Sequence, residues 1–179
     1  MNEIAEGTFT DPRDGKTYRT VKIGEQVWMA ENLNFECEGS KCYKDDPKNA
    51  EKYGRFYDWE TAIKACPPGW HLPSIKEWDT LIDFAGGAEI ATKKLKAKSG
   101  WEECGWEDHE GTDDYGFSAL PAGDAWGSVF QGRNSYWWSS SGVGGRGGRA
   151  CYYEICNINP ITKKNYWNTY TFSVRCIQD

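Results

Sequence analysis

Ala65-Cys66-Pro67-Pro68-Gly69-Trp70-His71-Leu72-Pro73-Ser74-Ile75-Lys76-Glu77-Trp78, continued by Asp79 to Ala85, ends one helix, turns the chain and starts another. Two prolines cannot continue a helix, and a proline disfavours helical geometry in the residue before it. A helix carrying Cys66 therefore ends at Cys66. Ser74 and Glu77 have the spacing of a capping box: the Ser74 side chain takes a free N–H of the next helix and Glu77 reaches back. That helix places Ile75, Trp78, Leu81, Ile82 and Ala85 on one face. Gly86-Gly87 ends it. Trp70 and His71, inside the turn, read as packing and as a structural hydrogen bond rather than as chemistry.

Outward from this stretch the chain is strand-rich. Residues 1–7 read as a frayed or tagged terminus, and 8–179 as one domain with a sizeable core. Thr8 to Thr10, a turn at Asp11-Pro12-Arg13-Asp14-Gly15, and Lys16 to Ile23 form a hairpin. Gln26 to Ala30 adds a strand. Residues 31–54 are polar and turn-rich. Asp58 caps a short helix over Trp59, Ala62, Ile63 and Cys66, expected to begin in a looser turn before Asp58. Ile90 to Lys98 fits helix or strand. Gly100 to Gly116 is a long loop, and Phe117 to Gly123 reads as a buried strand. Tyr136 to Ser141, Ala150 to Ile155 and Thr169 to Ile177 read as strands, with a polar hairpin loop at Asn157–Asn168. The class is α+β, with helices in the first half and an irregular antiparallel sheet in the second.

Composition narrows the function. There are 21 basic and 27 acidic residues, a net charge of −6. That argues against a nucleic-acid partner, which needs a basic face. No run of about 18 apolar residues exists, so no membrane insertion is expected. Met1-Asn2-Glu3 shows no leader. Ten Trp and ten Tyr stand against two Met. Rings with an apolar body and a polar edge suit binding surfaces and sugars as well as cores. Trp28, Trp59, Trp70 and Trp78 are expected in the core, with one of Trp137 and Trp138, which point to opposite faces of a strand.

Seven cysteines and two histidines form no zinc pattern. Disulfides in an oxidising compartment are the better reading. Cys37 and Cys42 would form a local disulfide, with free thiols as the alternative. The acidic run Glu107, Asp108, Glu110, Asp113, Asp114 is either a calcium site or a solvated loop. The loop is preferred, because a calcium cage needs about six to eight oxygens in a set geometry. No cofactor is expected, with calcium the weaker alternative.

Several motifs together resemble a known family: Trp28-Met29-Ala30-Glu31-Asn32-Leu33-Asn34, Glu51-Lys52-Tyr53-Gly54-Arg55, the Ala65–Ser74 turn, Gly111-Thr112-Asp113-Asp114-Tyr115-Gly116-Phe117-Ser118-Ala119-Leu120-Pro121-Ala122-Gly123, Tyr136-Trp137-Trp138-Ser139-Ser140 and Phe172-Ser173-Val174-Arg175-Cys176. They are similar to the Fibrobacter succinogenes major paralogous domain, itself similar in fold to C-type lectin-like domains. The resemblance implies two helices, a small sheet joining the termini, long loops over a second sheet, and a bacterial secreted or cell-surface setting. It implies a disulfide from Cys66 at a helix end to Cys176 in the last strand. It also implies a Cys where Ala50 stands, so Cys37 becomes the substitute partner of Cys42. Cys104, Cys151 and Cys156 stay unassigned. The calcium-binding triplets of sugar-binding C-type lectins are missing: Trp167-Asn168-Thr169 lacks the carboxylate.

The function expected is a non-catalytic extracellular binding module, monomeric and in adhesion or assembly, carbohydrate-binding or protein-binding. Its contacts would be Trp126, Phe130, Tyr136, Tyr153, Tyr166, Trp167 and Tyr170, with Asn134, Asn165 and Asn168 as polar partners. The alternative is an enzyme. Formylglycine-generating enzymes, which share the broader fold, use a C-x4-C pair. Cys151 and Cys156 have that spacing and would bind copper(I) or exchange disulfides. A hydrolase built on Asp108, Glu110 and Asp113 lacks a nucleophile beside a base.

Overall fold

The structure, a computed structural model, describes residues 5–102, 110–125, 132–145, 147–157 and 159–179. Ten strands form two five-stranded sheets among the described residues. The first has the order β1 (Ala5–Thr10), β2 (Thr17–Ile23), β3 (Gln26–Met29), β10 (Ile177–Gln178), β5 (Trp70–His71), all antiparallel. It joins the two ends of the chain. The second has the order β4 (Phe56–Tyr57), β9 (Phe172–Ser173), β6 (Asn134–Gly142), β7 (Arg149–Cys156), β8 (Thr162–Trp167). Its one parallel pair is β6 with β9.

The turn at Cys66 folds as its chemistry dictates. Helix α2 (Trp59–Ala65) ends with Cys66 in an extended conformation. Helix α3 (Ile75–Phe84) opens on a complete capping box: Glu77 N–H donates to Ser74 Oγ at 3.3 Å, and Ser74 N–H donates to Glu77 Oε2 at 2.7 Å. Trp78, Leu81, Ile82 and Ala85 are buried, and Ile75 packs beside them. Cys66 is bonded to Cys176, 110 residues later. In the chain-entropy picture, closing that loop removes about 4–5 kcal/mol of freedom from the unfolded chain.

Several expectations are corrected. Residues 5–7 belong to β1, whose backbone pairs with Val21, Thr20 and Lys22 of β2. Two helices were implied; the described residues hold four. Helix α1 (Pro47–Tyr53) starts from the Asp46 side chain, with Pro47 in its first turn and Gly54 at its end. Helix α4 (Ala88–Leu95) resolves the ambiguous segment. Helix α2 begins at Trp59 rather than earlier, because β4 occupies Phe56 and Tyr57. Phe117 to Gly123 is buried except for the half-buried Ser118 and Leu120, and forms two isolated bridges, Lys96 with Ala119 and Gly123 with Ser135, rather than a strand. The hairpin loop after Asn157 contains β8, an edge strand held by its ladder to β7 rather than by burial, so it carries no apolar alternation. Cys37 and Cys42 are free thiols. A turn from Cys37 to Ser40 and the bridge from Lys41 to Phe56 carry Cys42 away, so Cys37 packs on one apolar cluster while Cys42 leads into Tyr43 of another.

The core is aromatic. Trp78 meets Trp28, Tyr153 and Trp137 at ring separations of 5.0, 5.1 and 6.0 Å. Trp137 and Trp138 are both fully buried, one on each face of β6. The second sheet is covered on both sides: α3 and α4 lie against the Trp137 face, and α2 covers one end of the Trp138 face.

One polar hub crosses this core. Arg175 is 1% exposed. Its Nε and Nη2 donate to Asn32 Oδ1 at 3.0 and 2.8 Å, and its Nη1 donates to the Phe117 and Met29 carbonyls. Trp137 Nε1 donates to the same Asn32 oxygen at 2.8 Å. The Asn32 amide donates onward to the Tyr53 carbonyl and Ser173 Oγ. Among the described residues no carboxylate lies in ion-pair contact with Arg175, and burial pushes its pKa down to about 9.

Candidate functional site

Register places the site. β7 meets β6 at Tyr136–Glu154 and Trp138–Tyr152, and meets β8 at Ala150–Tyr166, Tyr152–Lys164 and Glu154–Thr162. Opposed residues share a face. Tyr136, Trp138, Tyr152, Glu154, Lys164 and Tyr166 therefore stand on the face that α2 only partly covers. Tyr170, on the turn leaving β8, folds back over Tyr166 with ring centroids 4.9 Å apart. Phe172 lies beneath, 4.7 to 5.4 Å from Tyr136, Tyr152 and Tyr170.

The result is a tyrosine surface graded from core to solvent. Trp138 is fully buried, and its N–H donates to the Tyr57 carbonyl at 2.8 Å. Tyr152 is 8% exposed, Tyr136 and Tyr170 are half-buried, and Tyr166 is 41% exposed. Charged and amide groups rim it. Glu154 accepts from Asn134 Nδ2 at 2.6 Å and pairs with Lys164. The Tyr170 hydroxyl donates to Asp124 Oδ2 at 3.3 Å. Burial, then the Glu154 charge, holds the Tyr136 hydroxyl above its ordinary value; burial, then Asp124, does the same to Tyr170. The Tyr136 and Tyr170 hydroxyls therefore stay neutral at physiological pH, so each can donate as well as accept. Flat rings edged by such groups match the alternating C–H faces and hydroxyl edges of a sugar.

Of the ten residues expected from sequence, this face gathers Asn134, Tyr136, Tyr166 and Tyr170. Tyr153 is buried on the opposite face, where its hydroxyl donates to Asp79 at 2.6 Å. Asn165 and Trp167 also sit on that face of β8, Trp167 with the Arg149 guanidinium 4.5 Å over its ring. Asn168 is buried in the following turn, its amide donating to the Gly145 carbonyl. Trp126 and Phe130 lie outside the described residues. Tyr152, Glu154 and Lys164 join this face without being among the residues expected from sequence. The alternation 150, 152, 154 along β7 was the available signal.

Cys151 and Cys156 are free, buried and five residues apart on one strand, so they face opposite sides of the sheet. Burial pushes the Cys151 thiol up to about 11, which keeps it protonated at neutral pH. In the acidic loop, Glu107 and Asp108 lie outside the described residues, as does Cys104. Asp113 accepts from Ser118 N–H and Oγ at 2.7 and 2.6 Å. Among the described residues no three Asp, Glu, His or Cys side chains cluster to hold a metal, and no helix is long and apolar enough to cross a membrane.

A family model, the Fibrobacter succinogenes major domain, matches residues 21–178. No curated protein and no solved structure matches the chain.

Proposed function

The chain belongs to the Fibrobacter succinogenes major domain family, and from that premise we propose that it is a non-catalytic, extracellular glycan-binding module of C-type lectin-like fold. Two sheets, one joining the chain ends, support the fold reading, as does the disulfide from the end of α2 to the residue before β10. The same disulfide favours an oxidising compartment. Recognition needs no cofactor in this reading, and the free, oppositely facing Cys151 and Cys156 favour binding over thiol chemistry.

One observation carries the proposal: four tyrosines on a single sheet face, with Tyr166 at the open end and Glu154, Lys164, Asn134 and Asp124 around them. Tyrosines held in place by Phe172 lose little freedom on binding, so their contact area converts well into affinity. The test is a glycan array on the full chain, followed by titration of the best hit. Tyr166→Ala with Tyr170→Ala should weaken binding at least tenfold, whereas Trp167→Ala, on the other face, should leave it within twofold. EDTA should change nothing. Equal loss from Trp167→Ala, or none from the tyrosine pair, would remove this face from the site. An array without hits beside a pull-down of one envelope protein through the same tyrosines would replace glycan by protein.

A further inference from the structure

A cleft of about 640 Å³ opens on another part of the molecule, between β2, the end of α1 and the segment around residues 97–120. Five basic and three acidic side chains line it, a balance of +2 in a chain of net charge −6. We infer that this cleft is a second binding site, for a ligand carrying a carboxylate beside hydroxyl groups, such as a uronic-acid sugar.

The anionic part of the ligand follows from the cations. Lys52 and Lys98 stand exposed at the rim, and neither is in ion-pair contact with a carboxylate among the described residues. Arg175 lies at the floor, its charge met by the neutral oxygens of Asn32, Phe117 and Met29. A positive cleft with unopposed ammonium groups at its mouth concentrates anions.

The hydroxyl part follows from the acceptors. Asn34 Oδ1 is buried with no hydrogen-bond partner, and Asn34 lines the cleft. Glu31 and Asp113 line it too, and they would repel a bare inorganic anion. A sugar acid satisfies both halves: its carboxylate faces the lysines, and its hydroxyls donate to amide and carboxylate oxygens. The cleft's one aromatic wall residue, Tyr18, is 3% exposed, so no ring face is offered to a flat base. The volume suits one or two sugar rings.

Two residues of the wall also hold strained backbone. Asp113 (φ 48°) and Ser118 (φ 53°) both adopt left-handed backbone, which non-glycine residues avoid. Each holds the other there, through the two hydrogen bonds from Ser118 to the Asp113 carboxylate. Strain of this kind collects where side-chain placement matters more than local comfort.

The experiment is calorimetric titration of the full chain with digalacturonate, the neutral disaccharide of galactose, and inorganic phosphate. Digalacturonate should bind at least tenfold more tightly than the other two, and more weakly as salt rises. Lys52→Ala with Lys98→Ala should lower that affinity at least tenfold with an unchanged melting temperature, since both side chains are exposed. Tyr166→Ala should leave it unchanged, which separates this site from the tyrosine face. No binding of digalacturonate at millimolar concentration, or wild-type affinity in the lysine double variant, would overturn the inference. Phosphate binding as tightly as digalacturonate would reduce the cleft to a plain anion site and overturn it as well.

Discussion

Replacing Asn32 by Ala should be among the most damaging single changes available in this protein. The Asn32 oxygen accepts three buried N–H groups: Arg175 Nε and Nη2, and Trp137 Nε1. Its amide satisfies the Tyr53 carbonyl. A buried donor left without an acceptor costs about 1–3 kcal/mol, and more when charged. Arg175 keeps its Nη1 contacts to Phe117 and Met29, and water entering from the adjacent cleft offsets part of the loss. The net is about 3–5 kcal/mol, the range found when one partner of a buried charge is removed. For a chain of this size each kcal/mol shifts the melting temperature by about 2–4 °C, so a fall of about 6–20 °C is expected.

The assay is urea unfolding followed by tryptophan fluorescence, which reports on the aromatic core as a whole, Trp137 of the hub included. Asn32→Asp is the informative companion. It keeps acceptor oxygens for the guanidinium and adds a negative charge beside it, while losing the donor to Tyr53. It should therefore be destabilised less than Asn32→Ala. A loss below about 1 kcal/mol for Asn32→Ala would refute the reasoning. It would mean that water already solvates Arg175 and that the shared oxygen is dispensable. Asn32→Asp no more stable than Asn32→Ala would refute the part that concerns charge.

Two further outcomes follow from the structure. Cys66→Ser with Cys176→Ser should lower stability by about 4–5 kcal/mol and melting by roughly 8–20 °C. Reducing agent should reproduce the effect in the native chain, and a shift under about 5 °C would show that the long loop is already restrained when unfolded. His71 links the chain end to α3: Nδ1 meets Asp179 and Nε2 meets Glu77, each at 2.7 Å. Burial alone would lower its pKa, but hydrogen bonds to Asp179 and then Glu77 outweigh this and raise it above 6.5. Its stabilising contribution is thus complete below about pH 6.5 and is lost as pH rises through the folded value. The side chain is 39% exposed, so screening holds this to about 1 kcal/mol or less. Melting curves across pH 6 to 8 should flatten in His71→Gln, and an unchanged pH profile would sink the assignment.

The features that sequence alone determined are those whose chemistry is local. Pro67-Pro68 stops α2 at Cys66 because a proline ring excludes helical geometry beside it. Ser74 and Glu77 start α3 because both cap partners lie within one turn. Helix α1 carried the same kind of signal, Asp46 followed by Pro47 and ended by Gly54, and was legible in principle. Strand β8 was not: its residues are almost all exposed, and it exists because β7 offers a ladder. Cys37 and Cys42 are close in sequence, yet a turn and a bridge part them, so spacing was misleading there.

The site belonged to tertiary structure for the same reason. Tyr166 and Trp167 are neighbours in sequence, but alternation sends one to the tyrosine face and the other beside Arg149. Tyr136 and Tyr152 become partners only through the β6–β7 register, which nothing local fixes. Trp137 and Arg175 lie 105 and 143 residues from Asn32, and only the packed core brings them to its one oxygen. Local backbone chemistry acts over a turn of chain, so the sequence determined where α2 ends and where α3 begins. Register and burial act between distant segments, so the folded structure decided which tyrosines look outward, which thiols stay apart, and where the chain keeps an uncompensated charge.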